Sequence, residues 1–142
     1  MAFWHGKGLK FLWIQIIEVG GPEMILKQDE HGAIALHVLC TLFPNLDGTL
    51  LQVFDRLISV GGKEQVLTED WNGSTPLHHA CMKTNINVEL INGLVDIGRK
   101  EIVLKFDHFG RTAMQIEMEK DVPCQEVIDR FLEVGGIRLL RY

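Results

Sequence analysis

The hydrophobic pattern of the chain recurs in blocks, each with an apolar helical segment, a glycine, a short β-rich stretch and a turn motif. The clearest apolar segment precedes Gly98, where Leu90, Ile91, Leu94 and Val95 follow the i, i+3, i+4 spacing of one helix face. Similar segments precede three further glycines, Gly20, Gly61 and Gly135. We call these four residues the anchor glycines, and each is predicted to follow a helix.

A second motif, Asp-x-x-Gly, keeps a fixed distance from the anchor glycines. Successive anchor glycines are 41, 37 and 37 residues apart, and the glycine of Asp-x-x-Gly lies 12 residues after each of the first three. The 23-residue windows that end at Gly32 and Gly73 share eight identical positions, as do those that end at Gly73 and Gly110. Self-similarity that keeps its register over this distance indicates a repeat array.

One unit therefore predicts a turn, a helix, a loop, a second helix and a short extended arm. Asp-x-x-Gly fits a tight turn with Asp at its first and Gly at its fourth position. In the middle unit Thr75 is placed to cap the first helix and Pro76 to occupy its first position. The anchor glycine is expected to end the second helix in a left-handed conformation, and the stretches at residues 66–67 and 102–104 are expected to be extended.

The sequence GSTPLHHAC at residues 73–81 resembles the Thr-Pro-Leu-His-x-Ala signature of the ankyrin repeat. Weaker copies occupy residues 32–40 and 110–117, so the resemblance covers roughly residues 10 to 142. It implies an all-α repeat protein, an ankyrin-like α-solenoid of helix-turn-helix units with short extended β-hairpin arms. The units exceed the family's period of about 33 residues, and the extra residues fall in loops and arms, where insertions cost little.

This register predicts four segments along the chain. Residues 1–28 form an N-terminal half repeat (second helix and arm), 29–69 form repeat 1 with a long inter-helix loop, 70–106 form repeat 2, and 107–142 form a degenerate repeat 3. In repeat 3, Gln115 replaces the signature histidine and Glu117 replaces a small residue, which predicts local distortion or exposure. The run FLWIQIIEVGG loosely imitates a signal peptide, but it repeats an internal segment and is interpreted as a core helix.

Composition and charge narrow the classes of partner. A chain of 142 residues with 46% hydrophobic residues buries a core without disulfides or metals. The net charge of −5 and the scattered Lys and Arg residues argue against nucleic acid as a partner. The apolar runs are too short for a membrane span. Three cysteines without a C-x-x-C pair indicate reduced thiols and an intracellular location, cytoplasmic or nuclear.

The conspicuous histidines and cysteines are interpreted as scaffold residues. The resemblance implies that His78 and His37 bond the turn backbone and tie neighbouring repeats together. His78 and His79 point about 100° apart on a helix, which disfavours a shared metal ion. Cys40 and Cys81 occupy equivalent repeat positions, as expected of small core residues, and Cys124 is assigned no role. The predicted scaffold set is His37, Thr75, Pro76, Leu77, His78, Gly61, Gly98 and Gly135.

The sequence also lacks the motifs of common catalytic sites. It contains no G-x-S-x-G, no H-E-x-x-H and no phosphate-binding glycine loop. Carboxylates that recur in every unit suit scaffold geometry better than a single reaction centre. We therefore expect no enzymatic activity, no catalytic residue, no metal site and no cofactor.

Aromatic residues within the turns point to a contact surface. Trp71 and Phe109 occupy the central positions of two Asp-x-x-Gly motifs, where turns are normally polar. The resemblance implies a non-enzymatic protein–protein interaction module, whose turn tips and first helices form an extended concave face. The predicted partner-binding residues are Glu30, His31, Trp71, Asn72, His79, Met82, Lys83, His108 and Phe109.

Two alternatives remain open, an incomplete segment of a longer ankyrin array without autonomous function and an enzyme in an ankyrin-like shell. The first alternative rests on the helix at residues 10–19, which is apolar nearly all round, whereas terminal repeats normally carry a polar outer face. The same helix predicts self-association through its uncovered apolar side.

Overall fold

The computed structural model describes residues 10–42 and 48–141, and within these ranges the chain is helical and contains no β-strand. The prediction of an all-α protein is therefore confirmed at this level. The α-helices are α1 (Lys10–Ile25), α2 (Ala35–Leu42), α3 (Gly48–Gly61), α4 (Pro76–Cys81), α5 (Val88–Val103), α6 (Ala113–Met118) and α7 (Gln125–Gly135). Two 3-10 helices span Lys63–Leu67 and Gly136–Arg141.

The helices form two layers with the hydrophobic core between them. The short helices α2, α4 and α6 follow one another in one layer, and α4 packs against both α2 and α6. In the other layer α1 packs against α3, α3 against α5, and α5 against α7. The layers meet through the pairs α2 with α3, α4 with α5, and α6 with α7. Leu77, Ile91 and Phe131 are fully buried between them.

The N-termini of the short helices α4 and α6 are fixed by side-chain caps. Thr75 accepts a hydrogen bond from the His78 amide, and Pro76 occupies the first helical position of α4. Thr112 caps α6 in the same way through the Gln115 amide. Each cap satisfies a backbone donor that the first helical turn leaves without a partner. The caps therefore fix the residue at which each of these helices begins after its turn.

The extended arms expected after the anchor glycines are absent, and this part of the prediction is wrong. Residues 66–67 belong to the 3-10 helix Lys63–Leu67, and residues 102–103 end α5. In each unit the chain turns sharply at one residue and then makes a further helical turn, as at residues 22–25 within α1. The helical turn buries apolar residues such as Ile25, Val66 and Ile102 against the core, which an arm projecting into solvent would not do.

The anchor glycines are not left-handed, which corrects their predicted role as C-caps. The positive φ angles occur one residue later, at Gly21, Gly62, Arg99 and Gly136. The anchor glycines are required for another reason, which is close approach by the residue four positions later. A Cβ atom on Gly98 would lie 2.6 Å from Ile102 Cβ, and one on Gly61 would lie 2.7 Å from Gln65 Nε2. The same contact recurs at Gly135, where a Cβ would lie 2.7 Å from Leu139 Cδ1.

Several predictions concern residues outside the described ranges. The long inter-helix loop of repeat 1 includes residues 43–47, and the first nine residues of the N-terminal half repeat also lie outside. Over residues 10–42 and 48–141 every helix is too short or too polar to span a bilayer.

Candidate functional site

The three Asp-x-x-Gly turns share one hydrogen-bonding scheme, and we call them turn 1 (residues 29–32), turn 2 (70–73) and turn 3 (107–110). In turn 2 the Asp70 carbonyl accepts from the Gly73 amide, while Asp70 Oδ1 accepts from the amides of Asn72 and Ser74. Asp29 and Asp107 form the equivalent bonds in turns 1 and 3. The flanking Asp and Gly therefore define the turn, and the two central side chains make none of the hydrogen bonds that form it.

Backbone hydrogen bonds join the turns into a continuous row, which we call the tip row. The Trp71 amide donates to the His31 carbonyl at 3.0 Å, and the His108 amide donates to the Asn72 carbonyl at 2.9 Å. Each turn is thus fixed relative to the next by a bond between main-chain atoms. Because no side-chain atom takes part, side chains along the row can vary without loss of the register.

The aromatic ring of one turn lies across the glycine of the preceding turn. A Cβ atom on Gly32 would lie 2.5 Å from Trp71 Cδ1, and one on Gly73 would collide with the ring of His108. The rings of Trp71 and His31 are also close, with centroids 6.4 Å apart. Trp71 nevertheless remains 68% exposed and Phe109 remains 70% exposed. The Trp71 ring therefore rests on one side against Gly32 and faces solvent on the other.

The nine predicted contact residues do not all lie together. The six central turn residues, Glu30, His31, Trp71, Asn72, His108 and Phe109, are all exposed along the tip row. His79 lies behind the row and is largely covered, because its ring bonds Asp70 within turn 2. Met82 and Lys83 follow the C-terminal end of α4, one helix length from the tips. Met82 lines a hollow together with Lys120 and Val122, and the Lys83 carbonyl accepts a hydrogen bond from Lys120 Nζ.

The signature histidines connect each short helix to the next turn. His37 Nδ1 accepts from the Ile34 amide at 3.1 Å, and its Nε2 donates to the Ser74 carbonyl at 2.9 Å. His78 repeats this arrangement with the Thr75 amide and the Arg111 carbonyl, at 3.1 and 3.0 Å. Each imidazole therefore caps its own helix and links it to the next unit. Only the neutral ring provides both an acceptor and a donor.

A cluster of three polar side chains, His37, Asp70 and His79, lies beneath turn 2 and was not predicted from the sequence. His79 Nε2 donates to Asp70 Oδ2 at 2.8 Å, and the rings of His37 and His79 meet edge to face with centroids 5.2 Å apart. Burial lowers the pKa of His37 to about 4, against the weaker opposing effect of the Ser74 carbonyl, and His79 lowers it further. Burial acts to raise the pKa of Asp70, but the hydrogen bonds from His79, Ser74 and Asn72 outweigh it and the net shift is downward.

One ligand atom from each of His37, Asp70 and His79 lies within 4.8 Å of the others, which is compatible with the spacing of a metal-binding set. The hydrogen bonds argue against that use, because both ring nitrogens of His37 are engaged. Coordination through Nε2 would place a proton on Nδ1, facing the Ile34 amide, where two donors would oppose each other. The cluster is better suited to link turn 2 to helices α2 and α4.

Repeat 3 accommodates both of its departures from the signature, Gln115 and Glu117. The exposure expected at Glu117 is not observed, because the residue is buried. Gln115 Oε1 accepts from the Thr112 amide at 2.8 Å, and so replaces the capping nitrogen of the signature histidine. Glu117 is buried, where Lys120 Nζ contacts its Oε1 at 2.7 Å and the Cys124 amide donates to its Oε2 at 2.9 Å. A buried carboxylate is retained because it is both paired and hydrogen-bonded.

The remaining scaffold residues lie in the interior. Leu77, Thr75 and Pro76 are buried at the start of α4, and Cys40 and Cys81 are buried at the ends of α2 and α4. Burial raises the pKa of both thiols, which disfavours the reactive thiolate. Cys124 is the N-cap of α7, where its amide donates to Glu117 and its carbonyl accepts from the Ile128 amide.

The residues that the sequence did not reveal are Asp70, as a partner of His79, and Lys120, as the counter-ion of Glu117. The two pairs differ in how strongly the sequence signals them. The Glu117–Lys120 spacing of three residues is a recognisable helical pair. The nine-residue separation of Asp70 and His79 carries no such pattern.

Only part of the apolar surface of α1, on which the prediction of self-association rests, is exposed. Trp13 and Ile17 are buried, whereas Val19 is 89% exposed and Leu26 is also exposed just beyond the helix. The prediction that this side mediates self-association stays a prediction.

Neither a scan against protein-family models nor a search of curated proteins finds a match to the chain. The ankyrin-repeat resemblance therefore rests on the signature residues and their register.

Proposed function

We propose that the protein is a non-enzymatic protein-interaction module, an ankyrin-type solenoid whose tip row binds a protein partner. The order of turn, short helix and long helix supports the solenoid, as do the histidine links between successive units. The observation that carries the proposal is the exposure of Trp71 and Phe109 in turns whose backbone does not require them. Interface anchors are enriched in aromatic residues, above all Trp and Tyr.

The surroundings of the two rings support protein rather than small-molecule recognition. The rings project from a row of turns rather than into an enclosed pocket, and drug-sized ligands prefer concave sites. Polar groups border the apolar faces, including the imidazole of His31 and the guanidinium of Arg111, which lies 5.5 Å from the ring of Phe109. An apolar centre with a polar rim is the usual composition of a protein interface.

The test compares Trp71→Ala with the unchanged chain in affinity capture, followed by titration against each captured protein. We expect the affinity to fall at least about tenfold, equivalent to about 1.4 kcal/mol. The free energy of unfolding should change by less than about 1 kcal/mol, because the ring is mostly exposed.

Val19→Ala serves as the matched control, since it removes exposed apolar area on α1, outside the tip row. If a captured partner binds Trp71→Ala as tightly as it binds Val19→Ala, the proposal is contradicted. A large loss of stability in Trp71→Ala, with unchanged affinity of the folded fraction, would make Trp71 a packing residue of the row.

A further inference from the structure

Each Asp-x-x-Gly turn has one carboxylate oxygen that takes no part in the turn, and this oxygen has a partner only in turns 2 and 3. Oδ1 of each aspartate accepts two backbone amides. Oδ2 of Asp70 accepts from His79 Nε2, and Oδ2 of Asp107 accepts from Arg111 Nε. Oδ2 of Asp29 has neither a hydrogen bond nor an ion pair within residues 10–42 and 48–141.

The difference follows from the side chains at two positions of the unit. Arg111 lies four residues after the aspartate of turn 3, and His79 lies nine residues after that of turn 2. Repeat 1 has Ala33 and Val38 at these positions, and neither side chain carries a hydrogen-bond donor. The aspartates of turns 2 and 3 are buried beneath their partners, whereas Asp29 stays partly exposed.

Turn 3 shows how this motif holds a guanidinium group. Arg111 Nε donates to Asp107 Oδ2 at 3.1 Å, and Arg111 Nη2 lies 3.0 Å from the same oxygen. The central carbon of the guanidinium lies 5.5 Å from the centroid of the Phe109 ring. A planar cation that pairs with a carboxylate and packs on a ring suits this place better than a lysine ammonium would.

Turn 1 has the same carboxylate, and an aromatic ring at the same position, without the cation. His31 lies two residues after its aspartate, as Phe109 does, and its side chain is 77% exposed. The Glu30 side chain is 85% exposed, with one oxygen 3.7 Å from His31 Nε2. Burial acts to raise the pKa of Asp29, but the hydrogen bonds from the amides of His31 and Ala33 outweigh it, and the net shift is downward. Asp29 is therefore ionised at neutral pH.

We propose that turn 1 binds an arginine side chain of a protein partner, an inference that rests on the proposed function of the tip row. The guanidinium takes the place that Arg111 takes in turn 3, where it pairs with Asp29 Oδ2 and packs on the His31 ring. Glu30 supplies a second carboxylate. The net charge of −5, and the absence of Lys and Arg from the three turns, favour a basic partner surface.

The Trp71 ring determines which residue accompanies the arginine. Its centroid lies 6.4 Å from that of the His31 ring, and the residue is 68% exposed. Alternate side chains on one face of an extended peptide are about 6.6 Å apart. An arginine over His31 therefore places the side chain two residues away over Trp71. The expected motif is an arginine and an apolar residue with one residue between them.

Selection of short random peptides displayed on phage tests this motif with a defined probe. The unchanged full chain should select peptides that carry arginine two positions from an apolar residue. The dissociation constant of the strongest selected peptide is then compared with that of the same peptide with glutamine in place of this arginine. The replacement should weaken binding at least about tenfold, because the carboxylates of turn 1 lose their counter-ion.

Ala33→Arg is the decisive variant, because it gives turn 1 the internal cation that turn 3 already has. It should bind the arginine and glutamine peptides with equal affinity, which is the coupling expected when both changes act on one contact. Gln15→Arg adds the same charge at an exposed site of α1, and should keep the preference of the unchanged chain. Circular dichroism establishes that each variant is folded.

Selected peptides without an arginine preference overturn the proposal, as does a preference that persists in Ala33→Arg. A chain that selects no peptide also overturns it, including one whose turn 1 is occupied by a second copy. Affinity that falls in Trp71→Ala but is unaffected by Ala33→Arg removes the arginine site and leaves the proposed function of the tip row in place. The reverse result supports the arginine site and contradicts Trp71 as an anchor.

Discussion

His37 shows how one side chain can serve helix capping, connection between units and pH response together. Its ring accepts from the Ile34 amide and donates to the Ser74 carbonyl, and both bonds require the neutral form. His79 and Asp70 face it across the cluster beneath turn 2, and the opposed effects of these groups are outweighed by burial. Protonation of His37 therefore removes the acceptor for the cap and places a charge in the interior.

Stability is predicted to fall between about pH 6.5 and pH 4 because of His37. Its folded pKa of about 4 is below the usual histidine value of about 6.5, so the unfolded chain binds more protons in this interval. The contribution is fully present above pH 6.5 and amounts to at most about 3 kcal/mol. Urea denaturation at several pH values measures it.

His37→Gln is the matched variant, because Gln115 fills the equivalent position and keeps the cap through Oε1. The variant should fold and show a flatter dependence on pH in this interval. Burial also lowers the pKa of His78, so some pH dependence should remain. Identical pH profiles for the two chains would contradict the assignment to His37.

At the scale of the element, the chain turns sharply after each long helix. The sequence pattern predicted the left-handed residue of this turn at the anchor glycine, one residue too early. The residue after the anchor glycine has a positive φ with ψ near 180° or −140°, at Gly21, Gly62, Arg99 and Gly136. This region is nearly restricted to glycine, because a Cβ atom meets the backbone there. Three units place glycine at this position, and the third places Arg99.

Arg99→Gly is therefore predicted to stabilise the protein by about 1 kcal/mol. The relief of backbone strain, about 1–3 kcal/mol, exceeds the entropic cost of an added glycine, about 0.5–1 kcal/mol. Lys100→Gly is the control, since the neighbouring residue is exposed and helical and should lose stability. Chemical denaturation of both variants gives the comparison, and equal destabilisation of the two would show that Arg99 is not strained.

The elements show where sequence reasoning succeeds. Apolar periodicity located the long helices, and the Thr75–Pro76 pair located the start of α4, because both signals are local. The extended arms were mispredicted, because residues such as Val66 and Ile102 have β propensity but are held in helical turns by burial against the core. The pairing of Asp70 with His79 could not be read from the sequence either, since it depends on how turn 2 folds back onto α4 within the unit.

For the whole molecule, the tip row predicts a pattern of amide exchange that side-chain exposure alone would not suggest. The amides of Trp71 and His108 are bonded between turns, so they exchange only when neighbouring units separate. The Glu30 amide has no such bond among the described residues. Hydrogen exchange followed by NMR should show Trp71 and His108 at least about tenfold slower than Glu30. Equal rates at the three positions would mean that the row opens freely in solution.

The same hydrogen bonds have a consequence for how the protein can vary in length. The bond from Trp71 to His31 spans the 41-residue unit and the bond from His108 to Asn72 spans a 37-residue unit, yet their lengths are 3.0 and 2.9 Å. The edge of the molecule thus has a pitch that does not depend on how many residues a unit contains. Five residues separate α2 from α3, against six between α4 and α5, so the added length of the 41-residue unit is taken up by longer helices. The layers behind the row can therefore grow or shrink by a helical turn while the spacing of the central turn side chains along the row stays the same.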